Sequence, residues 1–128
     1  MSRYVDGYML PVPKRNVGDY RHLAQEAGEI WLEYGALEFV ECVAEDVKPG
    51  ELTSFPQSVK LEPDETVVFS WIVFGSRGQR DRINAQVMKD SRISAMDPKS
   101  MPFDAKRMFW GGFETIVDLS MAKPVPKS

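Results

Sequence analysis

Five polar residues lie where the chain otherwise commits itself to apolar contact. They are Asp6 and Tyr8 in YVDGYMLPV, Glu41 in ALEFVECVAED, Ser70 in ETVVFSWIVF, and Arg107 just ahead of MFWGGF. A carboxylate in such a setting is costly to bury unless it is paired. Asp6 or Glu41 could therefore pair with Arg107, in an ion pair that fixes strand register. Placed in a pocket instead, a carboxyl group with a raised pKa would take a proton from a small organic substrate. The planar fork of Arg107 would then hold a carboxylate or enolate oxygen pair. Asp6, Glu41 and Arg107 are thus the candidate catalytic groups, with Asp6 or Glu41 as the base.

A second set could hold a ligand: Tyr8, Ser70, Trp71, Asp104, Gly111 and Gly112. Asp104, Lys106 and Arg107 follow Pro102 and Phe103, either as a turn capped by Asp104 or as the mouth of a pocket. Adjacent glycines inside an apolar strand mark a bulge or a close approach by another backbone or a ligand. Trp71 and Trp110 would line an apolar pocket or fill a dimer core.

Other chemistries find little support. Cys42 is the only cysteine and His22 the only histidine. One chain therefore offers no disulfide, dithiol pair or thiolate zinc site, and a hydrolytic triad or haem ligand would depend on one histidine. At helical spacing His22 lies opposite the apolar stripe of its helix and should face water. Neither a metal nor a tightly bound cofactor is expected. A net charge of −3, without a block of basic residues, argues against nucleic-acid binding. The amino-terminal residues lack the pattern of a secretory signal, and the longest apolar run, Val67 to Phe74, is too short to span a bilayer as a helix. The expected location is the cytoplasm.

These groups must be positioned by a single domain, since 128 residues hold one core. Residues 1–121 are assigned to it, and residues 122–128, with two prolines and two lysines, to a flexible tail. Tyr4 to Val12 reads as a first strand limited by Pro11 and Pro13. A helix capped by Asn16 follows, with Tyr20, Leu23, Ala24, Ala27, Ile30, Trp31 and Tyr34 at helical spacing and Gly35 as its stop. Ala36 to Asp46 is a second strand. An 18-residue connection, 47–64, should pack locally through Phe55 and Val59. Glu65 to Phe74 is a central strand, Ser76 and Gln79 open a second long helix, and Met108 to Leu119 supplies the last strand.

The order β-α-β-β-α-β is that of an α+β, ferredoxin-like domain with a four-stranded antiparallel sheet carrying both helices on one face. The third and fourth strands are apolar on both faces, so the helix-free face also needs cover. A second copy of the same face supplies it through an isologous contact. The expected partner is therefore another copy of the chain, in a homodimer.

The segments YVDGYMLPVP, YGALEFVEC, SFPQSVKLEPDETVVFSW and MPFDAKRMFWGGFE together resemble the small bacterial family catalogued as domain of unknown function 1428. The resemblance covers Tyr4 to about Leu119. It implies the dimeric α+β barrel group, in which two ferredoxin-like chains form a barrel with a pocket on the helix-free sheet face of each. That wider group includes cofactor-independent monooxygenases, lactone isomerases, haem enzymes and ligand-sensing modules, so the fold leaves the activity open. Three functions stand on the sequence. The first is a pocketed homodimer acting on a small organic molecule by proton transfer or oxygenation. The second is a noncatalytic module for a small ligand or protein partner, and the third a structural or stress-associated dimer.

Overall fold

A computed structural model describes residues 2–120; the tail assigned to residues 122–128 lies outside them. The elements run β1 (Tyr4–Pro13), α1 (Val17–Glu33), β2 (Glu38–Val43), α2 (Phe55–Ser58), β3 (Glu65–Phe74), α3 (Arg77–Lys89), α4 (Ser91–Ser94) and β4 (Phe109–Glu114), with short 3-10 turns at Lys14–Asn16 and Pro98–Ser100. All pairings are antiparallel, and the sheet order is β2-β3-β1-β4. This is the expected α+β fold with its four-stranded sheet. Among the described residues no helix is long and apolar enough to cross a membrane.

Local chemistry explains where the elements stop. α1 ends in a Schellman motif: Gly35 takes φ 114°, its N–H donates to the Leu32 carbonyl, and the Ala36 N–H donates to the Trp31 carbonyl. Glycine meets that backbone requirement without steric cost. α3 starts where Ser76 Oγ accepts from the Gln79 N–H at 3.2 Å. Asn16 does not cap α1. Its side-chain amide instead donates to the Pro102 carbonyl at 3.3 Å, tying the helix start to the loop before β4.

β4 is shorter than its apolar pattern suggests. β1 begins at Tyr4, so the ladder has no partner beyond Glu114. Thr115 then bonds the Arg3 carbonyl through both its N–H and its hydroxyl, and Asp118 clasps the Arg3 guanidinium with two bonds of 2.6 Å. Ile116 and Val117 are left in solvent rather than in a strand.

The long helices and the sheet enclose two apolar groups. Ile30, Ile72, Phe74, Ile83 and Val87 fill one end, and Leu10, Val12, Tyr20, Ala24 and Val68 the other. The 47–64 connection packs as its sequence suggests. Val59 joins Met9 and Val67 on the helix-free face, and Phe55 sits edge-on to Phe69 at 6.1 Å. The connection thus covers part of that face. Phe69, Phe109 and Phe113 remain exposed.

Candidate functional site

Side chains alternate across a strand, so register decides which polar groups meet. Glu41 pairs with Ser70, Ser70 with Tyr8, and Tyr8 with Trp110. These four form one row across all four strands. The next row toward the β1 start is Phe39, Ile72, Asp6 and Gly112. Both rows face the helices, because Glu41 bonds to α1 and Asp6 to α3. Adjacent strands lie about 4.8 Å apart, which puts the Glu41 and Tyr8 backbones roughly 10 Å from each other.

Above the polar row lies a cavity of about 450 Å³ between sheet and helices. Its location differs from the expected pocket on the helix-free face. Ala24 and Ala27 of α1 face the middle of the sheet there, and their short side chains leave this space unfilled. Trp31 and Asn84 border it from α1 and α3, and Ile93, Met96, Met101, Phe103 and Met108 from the 91–108 segment. Apart from Glu41, Ser70, Asn84 and two tyrosine hydroxyls, the wall is apolar, and no lysine or arginine of the described residues lines it.

Among the described residues Glu41 is the one carboxyl group in that wall. Tyr20 donates to its Oε1 at 2.8 Å, and Ser70 also hydrogen-bonds it. Burial raises the pKa of Glu41 above the ordinary 4.5, and the bonds from Tyr20 and Ser70 offset part of the rise. Burial likewise raises the Tyr20 phenol, and the Glu41 charge and hydrogen bond add to that rise. Burial also raises Tyr8, whose ring stacks on Trp110 with centroids 5.7 Å apart. The Tyr8 hydroxyl makes no hydrogen bond among the described residues, whereas Asn84 is held at both ends of its amide: it accepts from the Trp31 indole at 2.9 Å and donates to Asp6 at 3.1 Å.

Asp6 is wholly buried and held differently from Glu41. Arg80 Nε reaches its two oxygens at 2.9 and 3.1 Å. The Arg80 guanidinium also lies over the Tyr4 ring at 5.2 Å and the Trp110 ring at 5.5 Å, a cation–π arrangement. Gly112 makes room for it, since a Cβ there would come within 2.7 Å of Arg80 Nη2. The glycine pair is therefore not a bulge; the ladder runs through it without interruption. Gly111 lies opposite Gly7 on the other face.

Neither carboxylate pairs with Arg107. That residue grips Glu65 through two bonds of 2.7 and 2.6 Å, Asp104 at 2.9 Å and the Lys60 carbonyl at 3.0 Å. Hydrogen bonds from Arg107 hold Glu65 and Asp104 below the usual carboxylate range. The clasp joins the loop before β4 to the start of β3 and leaves Arg107 no unpaired face toward the cavity wall. Trp71 borders the cavity, but its ring packs 5.5 Å from that of Phe69 on the opposite face.

Of the residues singled out from sequence, Tyr8, Glu41 and Ser70 thus share one wall. Asp6 and Gly112 sit one row away, and Arg107, Asp104 and Gly111 stand apart. Sequence reasoning missed Tyr20, Arg80 and Asn84. Tyr20 reads as one more apolar position on α1, and Arg80 and Asn84 as solvated positions on a helix rich in charge. The available signal was stoichiometric: two buried carboxylates on the sheet require donors.

The chain is similar to several known proteins. The chain is 47% identical over 116 residues to "Uncharacterized protein YbaA" of Escherichia coli (strain K12), covering 91% of this chain and 98% of that protein, and the same figures hold for the protein of that name in Shigella flexneri. A solved structure, "De novo designed protein Foldit4", aligns at 13% identity and a TM-score of 0.42, over 91% of this chain and 99% of that one. Residues 3–105 match the family described as "Protein of unknown function (DUF1428)". On that match and the 47% identity, the chain belongs to this family.

Proposed function

We propose that the chain binds a neutral, mainly apolar small organic molecule in the helix-side cavity and moves a proton to or from it through Glu41. The observation that carries this reading is the setting of Glu41: a buried carboxyl group, hydrogen-bonded by Tyr20 and Ser70, in a mainly apolar wall. Large apolar cavities with a few convergent polar groups are ligand sites more often than packing defects. With no lysine or arginine lining it among the described residues, the cavity disfavours anionic ligands, because their charge would be desolvated without a partner. A raised carboxyl pKa strengthens the ionised form as a base. Asp6, locked by Arg80 and Asn84, serves as a strut for the wall instead.

The test is a fluorescence titration with 2-naphthol, a neutral bicyclic probe with one hydroxyl. Saturable one-to-one binding is expected, with loss of binding in Ala27→Trp, which fills the cavity from α1. Binding untouched by that substitution would place the probe elsewhere and overturn the reading. If 2-naphthol binds but no proton transfer from any carbon acid is detectable, the noncatalytic ligand-binding reading takes its place.

We further propose that the chain works as a homodimer through the helix-free face. Phe113 is 63%, Phe109 47% and Phe69 42% exposed there, and the Phe113 ring lies over the paired Gly7 and Gly111. Contiguous exposed aromatic surface of this kind marks an association site. Light scattering at micromolar concentration should give twice 14.5 kDa. A value of 14.5 kDa would contradict the pairing.

A further inference from the structure

We infer that Tyr8 is a second functional group of the cavity, and that the ligand class is an apolar carbonyl compound with an acidic α-hydrogen. The inference rests on Glu41 acting as the proton acceptor. It adds a partner for the oxygen on which charge then develops.

Three observations carry it. Register puts Glu41 and Tyr8 on either side of Ser70 in one row facing the cavity, so a ligand lying across Ser70 meets both. The two groups are also in opposite bonding states. Glu41 already accepts from Tyr20 and Ser70, whereas the Tyr8 hydroxyl has no protein partner among the described residues and has a proton to donate. Finally, the Tyr8 ring is held by its stack on Trp110, which Arg80 covers at 5.5 Å, so the donor is fixed before a ligand arrives. A preorganised donor aimed at developing negative charge is the most effective stabiliser in a site that excludes water.

The chemistry is self-contained. The Glu41 carboxylate takes the α-proton; the C–H electron pair becomes the C=C bond, and the carbonyl π pair moves onto oxygen, where the Tyr8 O–H holds the enolate. Return of the proton to the same carbon gives exchange. In a substrate conjugated through a further C=C, return to the γ-carbon gives an isomer. Electrons are neither gained nor lost overall, so the step needs no oxidant, reductant or co-reactant. The lack of a lining cation among the described residues fits this assignment, because a fixed positive charge would favour ligands that are already anionic.

The probe is 2-tetralone in D₂O, with loss of its α-hydrogen signals followed by NMR. Wild-type protein is expected to accelerate exchange over buffer. Tyr8→Phe, which keeps the ring and its stack, should lower the accelerated rate by about 10²-fold and leave the binding of naphthalene, which has no oxygen, unchanged. Glu41→Gln should abolish the acceleration. Thermal unfolding of each variant verifies that it folds. Exchange that depends on Glu41 but is equal in wild type and Tyr8→Phe overturns the role of Tyr8 while leaving the proton-transfer reading intact. Absence of accelerated exchange in wild type overturns both. Naphthalene binding weakened as much as exchange would show that Tyr8 only shapes the cavity, and would likewise sink the inference.

Discussion

Arg80→Ala is expected to lower the free energy of unfolding by about 3–5 kcal/mol, the range for removing one partner of a buried ion pair. Asp6 is wholly buried, and the substitution takes away its two bonds from Arg80 Nε, leaving Asn84 as its remaining side-chain donor. The effect reaches the cavity. Arg80 covers Trp110, Trp110 backs Tyr8, and Asn84 fixes the Trp31 indole in the opposite wall. Urea denaturation measures the loss. A double replacement, Asp6→Leu with Arg80→Met, should recover most of it, because an apolar pair leaves no charge unpaired. A loss under about 1 kcal/mol for Arg80→Ala, the worth of a surface pair, would show that Asp6 finds water or another donor.

Gly28→Ala is expected to destabilise the fold even though it improves the helix. Alanine in place of glycine inside a helix favours stability by about 1 kcal/mol. Against that, the new Cβ would stand 2.5 Å from Cδ1 of Phe39 and 2.9 Å from two further atoms of the same ring. An aromatic ring cannot bend away at one atom, and overpacking of this kind costs about 1–3 kcal/mol. The clash therefore wins or breaks even, with a net loss of up to about 2 kcal/mol. The functional effect is larger in proportion. Phe39 borders the cavity beside Glu41, so its displacement narrows the space where the ligand binds. A thermal melt with a parallel 2-naphthol titration separates the two effects. A more stable variant with unchanged affinity would mean that Phe39 has somewhere else to go.

The strands and helices were legible because they are written in local patterns. β3 is a run of apolar residues that needs cover above and below, and α1 combines a spaced apolar stripe with Gly35 where a positive φ is required. The polar row was legible only as a set of anomalies. Glu41, Ser70 and Tyr8 each stand out against apolar neighbours, but their meeting depends on two strand registers, which long-range pairing sets. The partners of the charged groups were less accessible still. Asp6 and Arg80 are 74 residues apart, and Arg107 and Glu65 42. Several equally acceptable pairings could be drawn from the sequence, and the expected pairing of Arg107 with Asp6 or Glu41 was one of them. The side of the sheet that holds the cavity was also hidden. It depends on the space that Ala24 and Ala27 leave unfilled beneath α1, a property of packing rather than of pattern.

The central claim is that Glu41 works as a titrating group inside an apolar ligand site. Titrating 2-naphthol into the wild-type protein across pH tests it most directly. The ionised carboxylate is the stronger acceptor for the naphthol hydroxyl. Affinity should therefore rise with pH through a midpoint above 4.5, the ordinary value for a glutamate, and Glu41→Gln should abolish that rise. Binding that is independent of pH, or whose midpoint lies at or below the ordinary value, would contradict the account.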